Sequence, residues 1–294
     1  MPLVSVITPL YRAEPFLEDL VLSLAKQTFK DFEWICVDDC SPDRSVERLE
    51  KAAAGLLSLE IVRLPSNQGP AAARNSGLRV ARGRYVAFLD ADDLWLPEKL
   101  ERQVEFMARH QHVFTFHDYR RMSHDGTSAG ALVRGPDVVD WALLHKRRGV
   151  GCLTVMLERS VIPDGLFPER KELGEHTIAE DFVAWARLLR DGVKAHRIPV
   201  DLARYRIARR SRSANLFRAT LSVWRIYRAH ERIPLPRAAW YFFNYAVYSI
   251  LRRVATRPAP SPDAAREHLA AESHRPLSLL AGDESPVRGG EVPP

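Results

Sequence analysis

Four short apolar runs in the first 90 residues each give way to a stretch with helical spacing: "LVSVITP" (3–9), "FEWICVDD" (32–39), "LEIVRL" (59–64) and "RYVAFLD" (84–90). Strands alternating with helices build βα units, and such units stack into a parallel sheet covered by helices on both faces. "EPFLEDLVLSLAKQ" (14–27) and "PEKLERQVEFMARH" (97–110) are two of the helices. A third, in "CSPDRSVERLEKAAA", is expected to start with Ser41 as N-cap and Pro42 in the first helical position. "PSNQGPAAARNSGLRVARG" reads as a loop running into a helix that Gly83 ends.

Beyond residue 110 the pattern loosens. "HVFTFHDY" (112–119) and "GCLTVMLER" (151–159) are strand-like, with a turn at His124-Asp125-Gly126 between them. "IAEDFVAWARLLRDG" (178–192) is an amphipathic helix with a glycine stop. Two further helices are expected over 214–232 and 235–256, parted by Pro234 and Pro236. The remaining segment, 257–294, holds seven prolines and little periodicity, and its composition predicts disorder.

The 294 residues, 46% hydrophobic and 27% charged, suffice for one large α/β domain and an appendage. No segment at the N-terminus has the make-up of a signal peptide, and no apolar stretch reaches the ~18 residues of a membrane span. The expected location is therefore cytoplasmic, with the inner face of the cell membrane as the one surface a peripheral protein would meet. Cys36, Cys40 and Cys152 are odd in number and lack paired C-x-x-C spacing, which favours reduced thiols over a zinc site or a disulfide framework.

The net charge of +6 is unevenly placed: residues 204–257 carry thirteen arginines against one acid, Glu231. Such asymmetry points to an anionic partner. Beside it, "AAWYFFNYAVYSIL" (238–251) puts six aromatics into one helix. That helix either lies in a membrane interface or packs its rings onto the main domain. No DNA- or RNA-binding motif accompanies the arginines, so no nucleic acid is expected.

Acids gather where strands end. Asp38 and Asp39 close one strand, and Asp90, Asp92 and Asp93 follow another. Open α/β sheets bind ligands at the carboxyl ends of their strands, so both groups should face one crevice. A D-x-D turn offers one carboxylate to a hard divalent cation, Mn2+ or Mg2+, whose shell is completed by phosphate oxygens and water, and a second to ribose hydroxyls. The plain alternative is that these aspartates cap a turn.

Other phosphate chemistries fit less well. There is no P-loop and no G-x-G-x-x-G after the first strand. The G-x-S-x-G and H-E-x-x-H motifs are missing too. A receiver-like, Mg-dependent phosphotransferase needs its acidic pair after the first strand, where "SVITP" has none, and a haloacid-dehalogenase pattern would need Thr or Val where Leu94 stands. A non-catalytic scaffold on a transferase-like fold is the remaining alternative.

Taken in order, "VSVITPLY", "VDDCSPD", "NQGPAAARNSGLRVARGRYVAFLDADD" and "AEDFVAW" resemble the family 2 glycosyltransferases of GT-A fold, over roughly residues 3 to 206. "DLWLPEKLE", "GCLTVM", "ARYRI" and "YFFNYA" are similar to the teichuronic-acid-type glycosyltransferases of bacterial cell-surface polysaccharide synthesis. The resemblance implies a Rossmann-like mixed sheet flanked by helices. It divides the chain into a GT-A catalytic domain (1–206; nucleotide-binding half 1–110, acceptor-binding half 111–206), a basic helical extension (207–256) and the tail (257–294).

It also implies roles. Asp39 would receive the base of the nucleotide, usually uracil, in a pocket lined by Pro9, Tyr11 and Glu14, with Arg74 near the base or diphosphate. Asp90 would lie near the ribose and Asp92 would hold the metal, with Asp93 as the alternative ligand. Asp181, in "AEDF", matches the catalytic base of an inverting enzyme; its plain alternative is favourable charge at a helix N-terminus. The donor would be a nucleotide sugar, and the acceptor a glycan or a polyprenyl-diphosphate-linked saccharide. Many relatives carry a His shortly after the "YR" pair, where this chain has Ala208 and Arg209; either Arg209 or Arg210 supplies that charge, or this branch does without it.

Overall fold

The computed structural model describes residues 1–55, 58–147, 149–169, 172, 180–207 and 222–254, the last six by backbone alone. Ala208, Arg209, Arg210 and the tail 257–294 lie outside the described residues.

The alternation read from the sequence becomes β1 (Val4–Leu10), α1 (Leu17–Ala25), β2 (Phe32–Asp38), α2 (Ser45–Ala53), β3 (Leu59–Arg63), α3 (Pro70–Val80) and β4 (Tyr85–Phe88). Then follow β5 (Leu94–Trp95), α4 (Lys99–His110), β6 (Phe114–Met122), β7 (Ala129–Val133), β8 (Val138–Val139) and α5 (Trp141–Arg147). β9 (Met156–Glu158), a second helix-flanked run with α6 (Glu180–Arg190) and β10 (Ala195–Arg206), and finally α7 (Leu235–Val254) complete the described chain. These residues fall within one compact unit, Met1–Ala259.

The sheet order is β3-β2-β1-β4-β9-β6-β10-β5, with β7 on β6 and β8 on β10. β3, β2, β1 and β4 run parallel, whereas β9 joins β4 and β6 in antiparallel fashion. The chain leaves β1 toward β2 and β3, then crosses back to place β4 on its other side. That reversal opens a crevice at the carboxyl ends of β1 and β4.

Period-two alternation divides the core between the two faces of the sheet. Ile7, Ile35, Val37 and Phe88 face α3 and α6 on one side, and Val4, Val6, Trp34 and Cys36 face α1, α2 and α4 on the other. Helix α3 stops at Val80 with Ala81 as its C-cap, short of the expected stop at Gly83, whose part is a different one. A Cβ there would come within 2.5 Å of the Ser5 backbone nitrogen, so only glycine lets the chain enter β4 so close to β1.

Three expectations are corrected by local geometry. Helix α2 starts at Ser45, not after Ser41, because Asp38 Oδ1 accepts the Ser41 N–H at 3.0 Å and Asp43 Oδ1 accepts the Ser45 hydroxyl at 2.6 Å, which holds residues 38–44 in a loop. Residues 152–154, expected to extend a strand, form a 3-10 turn before β9. Of the helix expected over 214–232, the described part includes a π-helical turn at Ile226–His230.

The C-terminal helices pack on the main domain through α5. Tyr227 donates to the His145 carbonyl, and His145 is buried among the rings of Trp141, Phe182, Tyr227 and Tyr241. Glu231, its side chain fully buried, pairs with Arg190 of α6 and lies 3.8 Å from His145 Nε2. The helix that begins with Glu180 and Asp181 is thereby braced from behind.

Candidate active site

A cleft of about 870 Å3 opens at the carboxyl ends of β1, β2 and β4. Pro9 and Tyr11 reach it from the end of β1, Asp39 from the end of β2, and Arg74 from α3. Asp90, Asp92 and Asp93 come from the turn after β4, and Glu180 and Asp181 from the first turn of α6. Two acids singled out in the sequence, Asp38 and Glu14, are absent from the lining. Asp38 turns to the following loop, where its Oδ1 accepts the Ser41 N–H at 3.0 Å. Glu14 lies to the side, its carboxylate 3.1 Å from Arg48 Nε.

Asp39 is 3% exposed, and its carboxylate collects N–H donors from the loop before α3: Gln68 N at 2.6 Å, Gly69 N at 2.8 Å and Asn67 Nδ2 at 3.0 Å. Gly69 adopts φ +92°, a conformation other residues rarely take, which turns its N–H toward the acid. Asp39 therefore fixes the shape of this wall as well as its charge.

Arg74 stands between the two acidic groups. It is 4% exposed, lies 2.5 Å from Asp90 Oδ1 and 3.6 Å from Glu180 Oε1, and covers the Phe167 ring at 5.4 Å. Burial works against its charge, yet the carboxylates of Asp90 and Glu180 more than offset this, and its proton is held more tightly than usual. Its Nε and Nη1 are buried and make no hydrogen bond among the described residues.

The D-x-D turn is clamped by the end of β10. Arg206 donates its backbone N–H to Asp93 Oδ1 and its Nε–H to the Asp92 carbonyl, both at 2.8 Å. Burial pushes the Asp93 carboxyl well above the usual range, and the charges of Asp92 and Asp90 add to it, while Arg206 pulls the other way. Asp92 is half-buried on the cleft wall. Asp181 sits in the first turn of α6, where its Oδ1 accepts the Phe182 N–H at 2.7 Å.

Much of the remaining wall has no role legible in the sequence, although Gly151 and Cys152 lie in "GCLTVM", Tyr205 in "ARYRI" and Tyr245 in "YFFNYA". Tyr119, Arg147, Gly151, Cys152, Tyr205, Tyr245 and Tyr248 all line the cleft. Burial, with Asp90, Asp181 and Glu180 nearby, pushes the Cys152 thiol well up despite Arg74, which disfavours the thiolate.

The residues fit a divalent cation of the hard type. Among the described residues no cluster of three or more His, Cys, Asp or Glu forms a closed metal cage. An open donor set of one or two carboxylates is what Mg2+ or Mn2+ uses when a diphosphate completes its shell.

Residues 5–142 match the model of glycosyl transferase family 2. The chain is 37% identical over 253 residues to the putative teichuronic acid biosynthesis glycosyltransferase TuaG of Bacillus subtilis, covering 86% of this chain and 98% of that one. This chain belongs to glycosyltransferase family 2. It is also 32% identical to the UDP-Glc:alpha-D-GlcNAc-diphosphoundecaprenol beta-1,3-glucosyltransferase WfgD of Escherichia coli, over 84% of this chain and 94% of that one.

The fold is GT-A. It is shared with S. aureus TarS 1–349 in complex with UDP-GlcNAc, at a TM-score of 0.63 and 22% identity over 84% of this chain and 71% of that one. It is shared too with the mannosyltransferase PcManGT from Pyrobaculum calidifontis in complex with GDP-Man and Mn2+, at 0.59 and 18% over 95% and 81%. The protein is a glycosyltransferase, and the phosphotransferase and scaffold alternatives fall away.

Proposed function

We propose that the enzyme transfers a sugar with inversion from a UDP-sugar to a hydroxyl of a polyprenyl-diphosphate-linked saccharide. The observation that carries this is one cleft lined by the D-x-D carboxylates and by Asp181, with Arg74 between Asp90 and Glu180, the residue next to Asp181. The acceptor class rests on WfgD, whose name specifies a diphosphoundecaprenol substrate, and the polysaccharide setting on TuaG, named for teichuronic acid biosynthesis. The UDP donor rests on WfgD and on TarS with its bound UDP-GlcNAc.

Asp92 would hold Mn2+ or Mg2+, with Asp93 the alternative, and Asp90 would face the ribose while Arg74 holds one of its oxygens. A divalent cation, when bound, offsets the negative charge that grows on the leaving nucleoside diphosphate. Asp39 receives the base beside Pro9 and Tyr11. Asp181 takes the proton of the acceptor hydroxyl as that oxygen bonds to the anomeric carbon. The bond from that carbon to the diphosphate breaks, and its electron pair leaves with the diphosphate. A single displacement from the opposite face inverts the configuration and requires no protein nucleophile.

Thermal unfolding with UDP, GDP, CDP or dTDP, each with and without Mn2+, tests the donor class. Binding to the native state alone stabilises it by about 2.7 kcal/mol at a hundredfold excess over Kd. A shift with UDP that needs Mn2+ is expected. A larger shift with another nucleotide would remove the UDP reading, and a shift indifferent to Mn2+ would remove the metal from Asp92.

A further inference from the structure

Helix α7 has two unlike faces. On the inner one Ala238 and Tyr241 are buried, and Tyr245 and Tyr248 line the cleft. Arg147 of α5, also in the lining, lies over the Tyr248 ring at 5.7 Å and forms no salt bridge among the described residues. On the outer face Trp240 and Phe243 are 56% and 61% exposed, and Val247 continues their row at helical spacing. Their two rings stack against each other, centroids 6.5 Å apart, rather than against the domain. A contiguous exposed row of large apolar side chains marks an interaction surface rather than ordinary solvent-facing surface.

Charge says what the partner is. No acid occurs from Arg232 to Val254, and Arg225, Arg228 and Arg232 are exposed on the segment just before the helix. No described helix is long and apolar enough to cross a membrane. An aromatic row on a helix without acids, next to exposed arginines, matches a helix lying in the plane of an anionic bilayer.

We propose that α7 docks the enzyme on an anionic phospholipid surface through Trp240, Phe243 and Val247. The same helix then holds the Arg147, Tyr245 and Tyr248 rim of the cleft at headgroup level. A diphosphate anchored by its lipid tail would meet that rim without leaving the bilayer. This second half rests on the lipid-linked acceptor proposed above; the docking face does not.

The test is co-sedimentation of the full chain with vesicles of phosphatidylethanolamine and phosphatidylglycerol, and with vesicles of phosphatidylcholine alone. Binding to the first set, at least tenfold weaker to the second, is expected. A Trp240→Gln/Phe243→Gln double variant should lose binding at least tenfold while keeping the melting temperature and transfer to a short-chain, water-soluble acceptor. Its transfer to a long-chain acceptor in vesicles should fall in step with binding.

Wild-type protein that stays in the supernatant would overturn the proposal, as would a double variant that binds like wild type. A dimer in solution that the double variant dissociates, without vesicle binding by either, would assign the face to a second copy and also overturn it. Vesicle binding that behaves as expected, with no transfer to either acceptor, would sink the acceptor reading and leave the docking face standing.

Discussion

The backbone N–H of Arg206 donates to Asp93 Oδ1 at 2.8 Å, joining the last residue of β10 to the turn after β4 across 113 positions of chain. The guanidinium continues the clamp to the Asp92 carbonyl at 2.8 Å, the His124 carbonyl at 2.9 Å and Asp19 Oδ2 at 3.0 Å. Its Cζ also lies 5.1 Å from the Phe16 ring centroid. One planar fork thus ties the D-x-D turn to the turn at His124 and to the segment of Phe16 and Asp19.

Arg206→Ala should therefore lower both stability and nucleotide affinity. Leaving a buried carbonyl without its donor costs about 1–3 kcal/mol. Arg206→Lys should recover little, since an ammonium cannot reproduce the fork. Urea unfolding measures the first effect and the nucleotide-induced thermal shift the second. An alanine variant with unchanged midpoint and unchanged shift would show that the turn keeps its shape without the clamp.

Asp181→Asn should slow transfer by about 10²–10⁴-fold, the usual contribution of a general base, while leaving the UDP-induced thermal shift intact. The amide keeps the acceptor oxygen that Phe182 N–H uses at 2.7 Å, so the helix start should survive. Normal turnover would take Asp181 out of the role.

What the sequence disclosed is what local chain chemistry decides. The four parallel strands, the acids at their ends and the helix opening with Glu180-Asp181 are each written in fewer than about 15 consecutive residues, because strand and helix periods are local signals. The walls of the cleft are not local. Tyr245 and Tyr248 reach it from α7, and Arg147 from a helix after a hairpin, and their spacing marks only an amphipathic helix. Arg206 was visible as part of a "YR" pair, but its clamp depends on β10 pairing parallel with β6 and antiparallel with β5. The expected start of α2 at Ser41 failed for a local reason of another kind: two aspartate side chains competed for the backbone N–H groups and the nearby hydroxyl.

Arg74 and Asp90 form a coupled pair, and a double-mutant cycle should show it. Arg74→Met removes the cation facing Asp90 and Glu180, which are 31% and 16% exposed at the side chain. Breaking a buried pair on one side costs about 3–5 kcal/mol, and the partial exposure of both acids places this case at the lower end. Asp90→Asn in the same chain should lessen the loss, because one carboxylate no longer lacks its partner. Equal and additive losses in urea unfolding would mean that the 2.5 Å contact carries no coupling.

His117 should give the enzyme an acid limit that lies outside the cleft. It is 2% exposed on β6, its Nδ1 2.7 Å from the Asp118 carbonyl, and its Nε2 has no hydrogen bond among the described residues. Burial, with Lys99 nearby, holds its pKa down to about 3, against 6.5 for an ordinary imidazole. Lys99 is itself held well below the usual lysine range by burial, its Nζ 3.6 Å from the Trp95 ring centroid. Between pH 6.5 and about 3 the unfolded chain carries a proton on His117 that the folded chain does not. Protons then favour unfolding, so stability is full above the unfolded value and falls as the pH drops through this window. One proton of difference gives a slope of about 1.4 kcal/mol per pH unit. His117→Asn retains a side-chain donor but cannot take up that proton. Its urea-unfolding free energy, followed from pH 7 to pH 4.5, should fall less steeply than that of the wild type. Parallel curves would assign the acid limit to another group.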